Sequence, residues 1–177
     1  MNDECRFNPK NFTPAPHQTE GWILFNTPPD QVFARVADHA KLVDWIPLVQ
    51  AITVTHPQPV APGESCIGTA RHVTMKGGIE VMETVVYWNP PFCYAYDSAG
   101  KHLPFKNYVG LFQVEPMDTH SGKLTFREYF DGAGHVGQAV MPHGAAALFL
   151  KALGNLARLI GGTEYAMTTV HRLDDSE

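Results

Sequence analysis

Cysteine is scarce in this chain: Cys5, Cys66 and Cys93 are odd in number, widely spaced and contain no C-x-x-C pair. That argues against a disulfide framework or a structural zinc site, and the three read as reduced thiols. Long apolar runs are missing too. The longest, Ala145 to Leu150, falls far short of the ~20 residues that span a bilayer, so stable membrane insertion is not expected. The opening MNDECRFNPK lacks the apolar stretch of a signal peptide, which points to a cytoplasmic protein. Positive charge is in deficit, with 13 Lys+Arg against 18 Asp+Glu and a net charge of −5. Such a surface offers no electrostatic footprint for nucleic acid or anionic lipid. Several catalytic signatures are also absent: the nine histidines show no H-E-x-x-H spacing, and no serine sits in G-x-S-x-G. The reading therefore calls for no metal and no cofactor. The run Gly132-Ala133-Gly134-His135-Val136-Gly137 superficially suggests a phosphate loop, but it lacks the lysine and the parallel βαβ setting, and a flexible gate fits it better.

What is present organises around the C-terminal end. From Gln138 to Ile160, Phe149, Leu153, Leu156 and Ile160 recur at the helical period, widened by Ala145, Leu148, Ala152 and Leu159, with Lys151, Asn155 and Arg158 opposite. This predicts one long amphipathic helix. The hundred residues before it read mostly as strands. With 177 residues and 44% hydrophobic side chains, the chain fits one domain with a real core. Residues 1–16, with three prolines and no periodicity, read as a leader, 17–165 as the domain and 166–177 as a tail. A first strand over His17–Asn26 leads to Thr27-Pro28-Pro29-Asp30, where Thr27 suits a helix cap and Pro28 a first helical position. Two short helices follow, the second capped by Asp38 and ended by Pro47. Then come strand-like runs at Leu48–Thr55, Cys66–Met75, Ile79–Trp88, Phe92–Asp97, Asn107–Glu115 and Lys123–Phe130, separated by a loop at His56–Gly63 and by Gly- or Pro-containing turns. Short links of this kind favour an antiparallel meander.

Three segments carry a family resemblance. TPPDQVFARVADHAKLVDWIP resembles an opening "strand, P-x-x-x-V/F, short helix, W" pattern. IGTARHVTMKGGIEVMETVVYWNPP and NYVGLFQVEPMDTHSGKLTFREYFD are similar to two hairpins that follow it, although Phe126 stands where tryptophan is common. In this order, over about Gly21 to Ile160, they resemble the START-like, or SRPBCC, superfamily, in its polyketide cyclase/dehydrase-like and lipid-transport-like branch. The resemblance implies an α+β helix-grip fold: a strongly curved antiparallel sheet of about six or seven strands wrapped around one long C-terminal helix. It also implies a hydrophobic cavity beneath that helix.

The candidate residues follow from strand alternation. Arg71 lies six residues before Gly77 and Glu83 five after Gly78, so a tight hairpin brings them together. Either they form a cross-strand ion pair or they serve a cavity, with Glu80 on the opposite face. Tyr94, Tyr96, Tyr108 and Tyr129 could offer hydroxyls to a cavity. Tyr108, Gly110, Phe112 and Val114 share one face, as do Leu124, Phe126, Glu128 and Phe130. The expected cavity lining is Phe112, Phe126, Glu128, Tyr96, Trp88, Phe149 and Leu153, with Glu83, Arg71 and Tyr108 as catalytic candidates. Ser98–Lys106 is a second loop suited to close its mouth. Two functions stay open: binding or transport of a small hydrophobic ligand, lipid-like, polyketide or aromatic, and a cyclase/dehydratase-like enzyme using a carboxylate or tyrosine for acid/base work. A homodimer through the sheet edges also stays open.

Overall fold

The structure is a computed structural model that describes residues 4–55, 65–101, 103–168 and 171–172, with the backbone alone for 135–146 and 171–172. The expected loop at 56–63, the Ala145 side chain and the end of the tail lie outside the described residues. In chain order, β1 (His17–Phe25) leads to α1 (Pro29–Val36) and a 3₁₀ segment, His39–Asp44. There follow β2 (Val49–Thr55), β3 (Ala70–Met75), β4 (Ile79–Asn89), β5 (Cys93–Ala99), β6 (Phe105–Pro116) and β7 (Gly122–Gly132). The long helix α2 (Gly134–Leu159), β8 (Gly162–Met167) and β9 (His171–Arg172) complete the chain. The strands form one antiparallel sheet in the order β2-β3-β4-β5-β6-β7-β1-β8, with β9 also on β1. The meander is uninterrupted until β1 returns to pair with β7.

The sheet is larger than expected, because β8 and β9 were not anticipated. Their residues are half-buried or exposed where described, so no apolar alternation marks them. They exist because Gly161, at φ 67°, turns the chain back at the end of α2 and β1 has an edge to fill. The helix also starts earlier than predicted. Gly132 closes β7 and Gly134 already belongs to α2, so the expected glycine-rich gate is a strand end followed by a helix start. Two expected caps take other roles. Thr27 donates its hydroxyl to the Ile160 carbonyl at 2.8 Å, pinning the end of α2 to the turn after β1. Asp38 caps no amide with its side chain and instead pairs with Lys41 at 3.1 Å.

Two apolar clusters lie on the two faces of this sheet. On the inner face Phe112, Val114, Leu124, Phe126 and Phe130 pack with α1, with Ala152, Leu153, Leu156 and Ala157 of α2 and with Ile160 just beyond its end. Each buried leucine or isoleucine there contributes about 1.5–3 kcal/mol. The predicted helix stripe is rotated slightly at its end: Ala157 is buried while Leu159 is 49% exposed. Asn155, expected on the outer side, donates to the Trp45 carbonyl at 3.0 Å and so holds the 3₁₀ segment against α2.

The outer face carries a smaller cluster, Cys93, Ala95, Val109, Leu111 and Tyr129, joined by Ala15, Cys5 and Phe7 from the N-terminal segment. Here the reading of three reduced thiols is overturned: Cys5 and Cys93 form a disulfide across a sequence separation of 88, with Cα atoms 5.7 Å apart. Spacing alone could not reveal it, because the pairing depends on where residues 4–16 lie on the folded sheet. Cys66 is a free cysteine, and burial raises its thiol pKa.

Candidate functional site

The site is built from one cross-strand row on the inner face. Register places Val85 beside Tyr96, Tyr96 beside Gly110, Gly110 beside Glu128, and Glu128 beside Thr19. A parallel row aligns Trp88, Tyr94, Phe112, Phe126 and Gly21. Within the first row Gly110 is a notch. A Cβ added there would meet the Tyr96 Cζ at 2.5 Å and its Oη at 2.6 Å, so the ring lies over the glycine. That placement brings the Tyr96 hydroxyl to 3.5 Å from the Tyr108 hydroxyl, which in turn donates to Glu128 Oε1.

Glu128 is 1% exposed, and its second oxygen, Oε2, finds no hydrogen-bond partner among the described residues. Burial pushes its pKa up to about 8; the Tyr108 hydrogen bond opposes that rise and the charge of Glu83 adds to it. The carboxyl is therefore mostly protonated at neutral pH. Burial also drives the Tyr108 and Tyr96 hydroxyls well above their ordinary range, with Glu128 the next cause for Tyr108 and Glu83 for Tyr96. Both stay neutral donors.

Next to this group sits a charged one. Arg71, 3% exposed, forms a salt bridge through Nε with Glu83 Oε2. It donates a second hydrogen bond to Nδ1 of His39 at 3.0 Å and stands 4.3 Å from the Tyr96 ring centroid. The hairpin pairing expected between Arg71 and Glu83 is thus present, and it faces inward. Burial works against the guanidinium charge, but Glu83, Tyr94 and Tyr96 together outweigh that, and Arg71 stays a cation. Tyr94 donates to the Val36 carbonyl at 2.7 Å, and burial raises its pKa to about 12, against the opposing charge of Arg71.

The aromatic candidates surround these groups. Phe112 stacks on Phe126 at 4.6 Å and on Tyr94 at 5.3 Å, and Phe126 meets Phe149 of α2 at 5.4 Å. Trp88 lies at the β4 end of the face, 5.9 Å from Tyr94, and Leu153 packs from α2. Tyr129 does not belong here: it packs in the outer cluster, because alternation sends it opposite to Glu128. Glu80 is likewise outside the group and lies 3.6 Å from His72. Sequence reasoning missed His39, which comes from the 3₁₀ segment far along the chain, and the role of Gly110. A glycine centred in an otherwise bulky strand face was the available signal. Among the described residues no group of three or more His, Cys, Asp or Glu is placed to hold a metal ion. Chemically, the arrangement can keep a proton on a buried carboxyl and present it beside a tyrosine hydroxyl.

Comparison with known proteins decides the lineage. The profile of the polyketide cyclase / dehydrase and lipid transport family matches residues 16–161. The chain belongs to that family. This polyketide cyclase/dehydrase and lipid-transport member shares its fold with solved structures of low sequence identity. The Bacillus cereus protein XoxI is 18% identical at a TM-score of 0.63, over 81% of this chain and 94% of that one. The di-domain ARO/CYC BexL is 16% identical at a TM-score of 0.64, over 80% of this chain and 45% of its own. Norcoclaurine synthase from Thalictrum flavum is 15% identical at a TM-score of 0.58, over 82% of this chain and 95% of its own. A search of curated proteins finds no sequence match. Among the described residues, no helix of this family member is long and apolar enough to cross a membrane.

Proposed function

We propose that the protein binds a small, largely apolar ligand between the inner sheet face and α2, with Glu128 and Tyr108 addressing an oxygen on that ligand. The observation that carries this reading is the buried Glu128 carboxyl, with Oε1 held by Tyr108 and Oε2 without a described partner. A buried polar atom left unpaired costs about 1–3 kcal/mol. A ligand oxygen that accepts from the protonated carboxyl would offset that cost. The surrounding rings favour a partner whose remainder is apolar.

Trp45, whose ring lies 5.9 Å from Phe112, and Trp88 give a fluorescence signal for binding. Titration with a panel of neutral aromatic ketones, phenols and fatty acids should show saturable quenching by at least one class. Glu128→Ala should weaken that binding about 5- to 150-fold, the equivalent of about 1–3 kcal/mol. If no member of the panel binds, and native mass spectra of the purified protein carry no small molecule, the reading is wrong.

A second reading is favoured by one specific property of the same residue. A carboxyl titrating near 8 is matched to general acid/base work at neutral pH, as in closing a ring on a poly-β-ketone chain with loss of water. BexL, an ARO/CYC protein, shares this fold. Glu128→Gln should then retain binding and lose turnover on such a chain. Equal turnover in the variant would assign Glu128 to binding alone.

A further inference from the structure

The inner face does not account for the N-terminal segment. Residues 5–15 lie over the outer face of the sheet, where Cys93, Ala95, Val109, Leu111 and Tyr129 form a buried apolar patch. Two unlike anchors hold this cover. At its C-terminal end Thr13 donates to the Asn107 carbonyl and Ala15 is buried, close to the start of β1. At its N-terminal end the Cys5–Cys93 disulfide reaches β5, and the Asn89 side-chain amide donates to the Glu4 carbonyl at 3.1 Å. Between them Phe7 stacks on Phe12 at 4.8 Å and meets the Tyr87 edge at 5.5 Å. Exposure alternates along this stretch: Glu4, Arg6, Asn8 and Lys10 are exposed, while Cys5, Phe7 and Pro9 are half-buried. The cover therefore has a thin apolar underside, and one covalent bond fixes its far end.

We propose that the Cys5–Cys93 disulfide is a reducible latch: when a dithiol reductant opens it, the segment ahead of Thr13 lifts away and the apolar outer face with Cys93 is uncovered. The two sulfurs are unequal in access, since Cys93 is 0% exposed and Cys5 is only half-buried. A thiolate of the reductant attacks the Cys5 sulfur, the S–S bond breaks, and Cys93 leaves as a thiolate that takes up a proton. The second thiol of the reductant then displaces Cys5 from the mixed disulfide. The protein gains two electrons and two protons, and the reductant ends as its own disulfide. Opening removes the closure of a long loop, so the freed end regains most of its conformational freedom. Thr13 and Ala15 keep the remainder in place.

The test uses the full chain, oxidised or treated with dithiothreitol. Under native conditions a maleimide should label one thiol, Cys66, before reduction and three after it. Trypsin cleavage after Arg6 and Lys10, both exposed, should accelerate about tenfold or more on reduction, because a protease needs a stretch of chain free of the surface. Cys5→Ser should show the fast rate without reductant, and far-UV circular dichroism should stay that of the folded domain. Unchanged cleavage at both sites, in the reduced protein and in Cys5→Ser alike, overturns the latch. So does three-thiol labelling of protein prepared under oxidising conditions, or loss of the whole fold on reduction, which would make the bond a structural staple.

Discussion

Replacing Glu128 by glutamine should make the protein more stable at pH 7 and less dependent on pH. In the unfolded chain the carboxyl has a pKa near 4.5, and in the fold burial pushes it up to about 8. Between these values the unfolded state is ionised while the folded state holds a proton, so folding takes up a proton. Stability is then complete below about pH 4.5 and falls as pH rises toward about 8. At about 1.4 kcal/mol per unit, the 2.5 units from 4.5 to pH 7 correspond to roughly 3 kcal/mol. Glutamine has no charge to lose. Its oxygen can still accept from Tyr108, while its second amide hydrogen adds an unpaired donor costing about 1 kcal/mol. A net gain of about 2 kcal/mol in a chain of this size raises the Tm by roughly 4–8 °C at pH 7, shrinking toward zero near pH 5. Thermal unfolding of both proteins from pH 5 to pH 8 measures the difference directly. A variant less stable than wild type at pH 7, with parallel curves across that range, would show the carboxyl ionised in the fold and refute the argument.

Other perturbations read neighbouring parts of the site. Tyr108→Phe removes the donor to Glu128 Oε1; because that bond favours the ionised form, the Glu128 pKa should rise further, seen by NMR titration, with about 1–3 kcal/mol lost in denaturant unfolding. Arg71→Met strands Glu83 and should cost about 3–5 kcal/mol, whereas replacing Arg71 and Glu83 together by apolar residues should cost much less; equal losses would mean the charges are not paired. Gly110→Ala forces a Cβ to 2.5 Å from the Tyr96 ring and should cost about 1–3 kcal/mol, a loss that Tyr96→Ala in the same chain relieves; additive losses in this cycle would place the strain elsewhere.

The sequence by itself determined what depends on short separations. The period-two alternation assigned Tyr108, Gly110 and Phe112 to one face of β6, and Phe126 and Glu128 to one face of β7. The Gly77-Gly78 turn, both residues at positive φ, set Arg71 opposite Glu83, and the 3.6-residue stripe marked α2. The tertiary structure alone decided what depends on distant closure. It fixed which face points inward, placed β1 between β7 and β8, brought His39 onto Arg71 and carried Cys5 to Cys93. It also turned Leu159 outward and used Asn155 to hold Trp45. Local patterns are written in residues a few positions apart, and each turn or strand face can be read from them. Long-range pairing is settled by the sum of many weak contacts that exist only once sheet and helix have closed on each other, and no single residue announces it.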